Sequence, residues 1–242
     1  MRKVFLIIVF SALSLPLFCQ KDTTFFASDR KKNVENKENR PVVIRDRLTF
    51  DIFHTFWMGA PAEGNFMKKF DPGFTVTAMW DFKIPQSQCI TFGLGVGFTM
   101  YTQYSNCILM YSKNDDISKY FLIPSSVKYK HSRMAYMNCS IPFEIRYRHK
   151  SGFKLSLGVH VGLICGLSHR YKGNNYEDTS GEYLRYTNRN FKNQQKFSAD
   201  VFVRAGWKAI GVFYCYQINK VFTDGKGPKM NPMSIGISIS LF

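Results

Sequence analysis

Beyond its first nineteen residues the chain has no run of eighteen or more apolar residues, so nothing there is long enough to cross a bilayer as a helix. Acidic residues are scarce: 17 Asp and Glu stand against 33 Lys and Arg, a formal net charge of +16. The excess is dispersed along the chain. A nucleic-acid surface concentrates its basic residues on one face or helix, so that class of partner is not expected. Scattered Lys and Arg suit the phosphorylated headgroups of a membrane surface, or simply keep loops solvated. Cysteine is sparse and without order. Cys19 belongs to the N-terminal segment, leaving Cys89, Cys107, Cys139, Cys165 and Cys215. Their number is odd and no CxxC or Cys/His pair has ligand spacing, so neither a disulfide framework nor a zinc site is expected. No cofactor is called for.

Aromatic residues are abundant (23 Phe, 13 Tyr, 3 Trp), yet mean hydropathy is only −0.19. A transmembrane β-barrel combines these properties, because only every second strand residue meets lipid.

Met1 to Cys19 has the organisation of a secretory signal: Arg2 and Lys3 ahead of an apolar core, Val4 to Leu17. Cleavage is expected before Gln20. Phe18 occupies the position where a lipoprotein signal requires a small residue. Residues 20–46, polar and rich in Lys, Asn and Glu, have no apolar periodicity and read as a flexible periplasmic segment. Residues 47–242 form the barrel.

Alternation of period two predicts eight strands. The first is Arg47 to Met58, with Leu48, Phe50, Ile52 and Phe56 outward and Thr49, Asp51 and Thr55 inward; His54 interrupts the outward set and is expected near the upper interface. The second is Phe70 to Lys83 and the third Gln88 to Tyr101, joined by a tight turn at Pro85, Gln86 and Ser87. A long loop, Thr102 to His131, precedes the fourth, Ser132 to Arg148. A short turn leads to the fifth, Phe153 to Leu167, and a second long loop, Ser168 to Gln195, to the sixth, Lys196 to Trp207. The seventh runs from Ile210 to about Phe222 after a turn at Lys208 and Ala209. The last, Asn231 to Phe242, alternates Met233, Ile235, Ile237, Ile239 and Leu241 against Ser234, Gly236, Ser238 and Ser240. Its terminal aromatic resembles the insertion signal of outer-membrane barrels.

An even strand count with alternating long and short connections predicts an all-β fold, an eight-stranded antiparallel up-and-down transmembrane β-barrel. Trp80, Phe82, Tyr147, Phe153 and Trp207 fall where the periplasmic girdle of such a barrel lies. The rival is a soluble ligand-binding barrel. The polar face argues against it, because Asp51, Asp81, Glu144, Arg146, Lys154, Asp200 and Arg204 can pair across a narrow interior. A filled, polar lumen without an open channel follows. Pro142, inside the fourth strand, removes a ladder donor and predicts a local bulge or a missing bond.

Gly93-Leu-Gly-Val-Gly-Phe98 is not read as a phosphate loop, since alternation continues through it and no helix follows. The residues available for acyl-transfer chemistry are Ser156, His160 and Glu144. Ser156 and His160 lie four apart on one strand, about 13 Å at ~3.3 Å per residue, too far for a nucleophile–base hydrogen bond. Counting back from the turn sets Glu144 opposite Ser156 or Gly158, and His160 opposite Pro142 or Ser140. No triad assembles, and His54 and His131 have no evident carboxylate partner. Catalytic, cofactor-binding and metal-binding residues are therefore all expected to be absent.

Ile141-Pro142-Phe143-Glu144-Ile145-Arg146-Tyr147-Arg148, followed by Phe153 to Gly166 (FKLSLGVHVGLICG), resembles the PorT-like outer-membrane barrel family, whose members carry an "IP…KYR" strand before a glycine-bearing one. Arg146 stands where the family often has Lys. The resemblance implies a barrel in the outer membrane of a Gram-negative cell and a non-enzymatic part in protein secretion or envelope assembly. A surface-binding or structural barrel is the alternative, a lipid-modifying enzyme a weaker one, and a narrow pore the least favoured. Outer-membrane lipids and lipopolysaccharide are the expected partners, with secretion or envelope proteins as further ones. The Tyr- and Phe-rich long loops suit either contact with partners or packing upon themselves.

Overall fold

The computed structural model describes residues 47–61, 64, 70–84, 89–149, 151–177 and 181–241. The expected signal, the periplasmic segment, the turn at 85–87 and the terminal residue 242 lie outside these. Eleven strands form: β1 (Arg47–Met58), β2 (Pro72–Lys83), β3 (Ile90–Ser105), β4 (Cys107–Ser112), β5 (Ile117–Leu122), β6 (Tyr129–Arg148), β7 (Phe153–Asn174), β8 (Tyr183–Asn188), β9 (Phe197–Trp207), β10 (Ile210–Gln217) and β11 (Asn231–Leu241). Eight of them close a ring, in the order β6-β3-β2-β1-β11-β10-β9-β7, with β6 and β7 paired to complete it. All the pairings are antiparallel. Closure leaves no open edge for lipid to meet.

The outward residues are those the alternation selects. Ile52, Trp80, Val96, Ile141, Ile145, Val161, Val212 and Ile237 are all exposed. A continuous apolar belt of this kind is foreign to a soluble monomer, and it places the barrel in the outer membrane. On β6 the belt runs from Tyr147 to Met137, ~33 Å of strand at ~3.3 Å per residue. With a strand tilt of ~40° this spans about 25 Å of bilayer. Trp80, Phe82, Phe153 and Trp207 are exposed at the end bearing the short turns, where the interfacial girdle was expected.

Pro142 resolves as a missing bond on one side. Leu94↔Phe143 and Gly97↔Ser140 share one register, but the two positions between them, Gly95/Pro142 and Val96/Ile141, drop out of the β3–β6 ladder. On its other side Pro142 stays opposite His160.

The long loops are more ordered than the alternation suggests. β3 continues to Ser105 and β6 begins at Tyr129; β4 and β5 form a separate hairpin between them. β7 continues to Asn174, pairing β9 over its lower part and β8 over His169–Asn174. Beyond the bilayer the outer face need not be apolar, so the alternating signal fades while the ladder persists. A register shift opposite Met137/Asn138 leaves Cys165 as the extra residue. It explains why Ile164 and Leu167, three apart, both point inward.

Two further boundaries differ from expectation. β2 begins at Pro72 because Asp71 is drawn into side-chain bonds: its amide donates to His54 Nδ1 (3.0 Å) and its carboxylate accepts from the Tyr104 amide (2.7 Å). His54 stacks on Phe70 at the upper end of the barrel. β10 stops at Gln217 because the Asn219 side chain takes over the pairing, accepting from Ala199 N at 2.8 Å and donating to Phe197 O at 2.6 Å. The chain then turns inward and buries Val221 and Phe222 in the barrel mouth.

A closed barrel resists detergent until heated. Unboiled outer-membrane protein should migrate differently from boiled protein on a denaturing gel; identical mobility would contradict the closure.

Candidate anion-binding surface above a sealed lumen

The lumen has two layers. The lower one is ionic. Arg204 on β9 forks onto Asp51 of β1, Nε to Oδ1 at 3.1 Å and Nη2 to Oδ2 at 2.7 Å, and its Nη1 donates to Glu144 Oε2 at 2.9 Å. Glu144 and Asp81 share Arg146, and Asp81 also pairs with Arg148. The result is an unbroken alternation: Asp51, Arg204, Glu144, Arg146, Asp81, Arg148. The Arg204 guanidinium also lies over the Phe202 ring, 4.4 Å from its centroid, and 5.2 Å from that of Phe213.

The upper layer is aromatic, which the purely polar reading of the lumen missed. Phe53, Trp57, Tyr101, Tyr136, Phe202 and Phe213 all point inward and are buried. Gly73 and Gly236 make room for Phe53: a Cβ on Gly236 would stand 2.5 Å from the Phe53 Cα, and one on Gly73 2.2 Å from its ring. Leu109, Phe191, Val221, Phe222 and Met230 from the external connections join the same cluster and stopper the barrel. The cap is stitched by Asn193 and the Lys226–Asp116 ion pair. The Lys226 ammonium, followed by the Tyr111 hydroxyl, holds the Asp116 carboxyl below its usual range.

The residues considered for catalysis are not assembled into a site. Glu144 faces Gly158 and Ser156 faces Arg146, as the turn count allows, while His160 faces Pro142 and Asp200. Glu144 is held by two arginines. One serine–histidine pair escaped the sequence reading: Ser132 Oγ lies 3.0 Å from His169 Nε2. Its polarity is wrong for activating a nucleophile, because Ser132 donates its proton to the Cys107 carbonyl. The histidine then donates to Ser132. Burial pushes His169 down to about 4, so its ring is neutral. Among the described residues the five cysteines form no disulfide; Cys89, Cys107 and Cys215 are buried, Cys139 and Cys165 exposed.

Most of the loop aromatics serve packing. Tyr171 is fully buried among Ile108, Ile123, Tyr129, Tyr176 and Tyr186, and the Tyr176 and Tyr186 hydroxyls meet at 3.0 Å. Phe121 and Tyr183 remain exposed.

The chemistry left facing outward is cationic. Above the apolar belt, β6, β7 and β8 set His131 opposite Lys172, Arg133 opposite Arg170, and Lys172 opposite Arg185. Arg133 lies 5.9 Å over the Tyr104 ring, and Arg170 Nε donates to Thr187 Oγ1 at 3.3 Å. Among the described residues none of these cations forms an ion pair. Arg185, followed by the cost of desolvation and by Arg170, holds Lys172 below the usual lysine range. Burial, followed by Lys172, Arg133, Lys130 and Arg170, lowers His131. Like charges so stacked are unfavourable alone and become favourable when an anion bridges them. Arg133 stands four residues beyond Met137, ~13 Å further along the strand, at the level of headgroup phosphates and sugars.

No protein-family profile matches the chain, and no curated protein matches its sequence. Among solved structures it is similar to Ail, the attachment invasion locus protein of Yersinia pestis, solved alone and with the heparin analogue sucrose octasulfate. Identity is 9% over 82% of this chain and 100% of that one, with a TM-score of 0.37. Neisserial surface protein A is similar at 13% identity over 81% of this chain and 96% of its own, with a TM-score of 0.35.

Removing Arg204 leaves Asp51 and Glu144 facing each other in the lumen. Arg204→Ala should cost about 3–5 kcal/mol, read from urea unfolding of the barrel in lipid. A loss below about 1 kcal/mol, the range of an exposed pair, would mean that the lumen is hydrated.

Proposed function

We propose that this is a non-enzymatic outer-membrane barrel that works through its external face, gripping the phosphates of lipopolysaccharide with the cations of β6, β7 and β8. The observation that carries this reading is the placement of Arg133, Arg170, Lys172 and Arg185, without carboxylate partners among the described residues, just above the apolar belt. The filled lumen supports it, because among the described residues the ionic and aromatic layers occupy the interior that transport would need. The second reading is the role implied by the PorT-like resemblance, a docking component of secretion or envelope assembly. It is favoured by exposed Phe121, Leu122 and Tyr183 on the external strands, which suit a protein contact.

Binding of lipopolysaccharide to purified barrel, followed by calorimetry, should weaken at least tenfold in the double variant Arg170→Glu, Lys172→Glu and fall with added salt. Equal affinity would remove the lipopolysaccharide reading. A bound phosphate raises the depressed His131, so proton and ligand uptake promote each other. Affinity should therefore rise as pH falls from about 7 to about 5, and His131→Asn should flatten that rise. For the second reading, deletion cells should lose a defined set of exported proteins and accumulate them in the periplasm; an unchanged set would exclude it.

A further inference from the structure

Three lumenal side chains stand apart from the ionic chain. His160 on β7 faces Asp200 on β9 directly across the ladder. Asp200 pairs with Gln217 and Cys215 pairs with Phe202, so Cys215 on β10 lies diagonal to Asp200 on the same inward face. All three are buried, at 2%, 1% and 3% exposure, and their nitrogen, oxygen and sulfur atoms lie within 4.8 Å of one another.

Their hydrogen bonding is incomplete. Among the described residues neither oxygen of Asp200 has a hydrogen-bond partner, and neither does His160 Nε2. His160 Nδ1 lies 4.0 Å from Asp200 Oδ2, beyond hydrogen-bond range. The nearest strong cation, Arg204, is already committed to Asp51 and Glu144. A buried carboxylate with no donor is costly, and this one lies beside an open imidazole nitrogen and a thiol.

We propose that His160, Asp200 and Cys215 form a lumenal binding site for one borderline divalent cation, of which Zn²⁺ is the type. Imidazole nitrogen, carboxylate oxygen and thiolate sulfur are the donors this ion takes. Zinc bonds of about 2.0–2.3 Å set tetrahedral donors about 3.3–3.7 Å apart, so small side-chain rotations close the site. Charge also fits. A dication with one carboxylate and one thiolate is neutral overall, which suits the low-dielectric interior. The imidazole is held by stacking on Phe202, 4.2 Å between centroids, and the Tyr101 hydroxyl faces the Cys215 thiol, where it can donate to a thiolate. Loading releases the thiol proton to solvent and belongs to folding, since the closed barrel gives the ion no wide entrance.

The test is metal content of the full chain, refolded with Zn²⁺ and then dialysed against metal-free buffer. Wild type should retain about one zinc per barrel. Cys215→Ser and Asp200→Asn should each retain at least tenfold less while keeping the heat-dependent gel shift of a closed barrel. Refolding with Co²⁺ should give a thiolate-to-metal absorption band in the near ultraviolet that Cys215→Ser abolishes. Wild type that holds no metal, or folded variants that hold as much as wild type, would overturn the site. If a variant fails to fold, the cobalt band of wild type alone decides: its absence rejects thiolate ligation.

Discussion

The chain of charges from Asp51 to Arg148 is the constraint that the barrel depends on. An eight-stranded ring leaves room for little more than side chains, and a charge placed there is far from water. Three carboxylates alternate with three guanidiniums drawn from β1, β2, β6 and β9. Each interior acid of this chain is touched by at least one arginine fork, so the geometry is over-determined. The strands that supply these residues are not neighbours throughout, and the network therefore ties opposite walls of the ring together.

Above this layer the interior changes character. Phe53, Phe202 and Phe213 cover the top of the ionic chain and exclude water from it, while Trp57 and Tyr136 carry the packing up to the external cap. Dryness strengthens each ion pair below, and the rigid pairs hold the strands that position the rings. The extended upper parts of β3, β6 and β7 grow from this core as continuous ladders. The outward cations are thus mounted on sheet, with their spacing fixed by register, while the apolar belt beneath fixes their height over the membrane.

How much of this was legible depended on which face carried the signal. β1 ran from Arg47 to Met58 as its alternation indicated, and Glu144 met Gly158 because a short turn fixes register. The membrane-facing side was clear since lipid demands apolar residues there. The inner side was harder. Phe53 and Trp57 are inward, yet an aromatic residue is equally at home against lipid, so the polar reading of the lumen saw the charges and overlooked the rings. The bulge at Cys165 and the strand β8 left no periodic trace, because water on the outside imposes no pattern. Pairings such as Arg204 with Asp51, separated by 153 positions, appear only once the ring is closed.

The same charge accounting isolates Asp200. Asp51, Glu144 and Asp81 consume the forks of Arg204 and Arg146, and the aromatic floor of Phe202 and Phe213 stands between those forks and the next inward position on β9's neighbours. A buried acid without a hydrogen-bond donor is costly, and the rest of this interior is lined largely by uncharged serines and threonines. A carboxylate at position 200 is stabilised if something positive completes it. Across one ladder it meets the His160 imidazole, and beside Gln217 on the other strand lies the diagonal Cys215 thiol; imidazole nitrogen, carboxylate and sulfur together suit a cation.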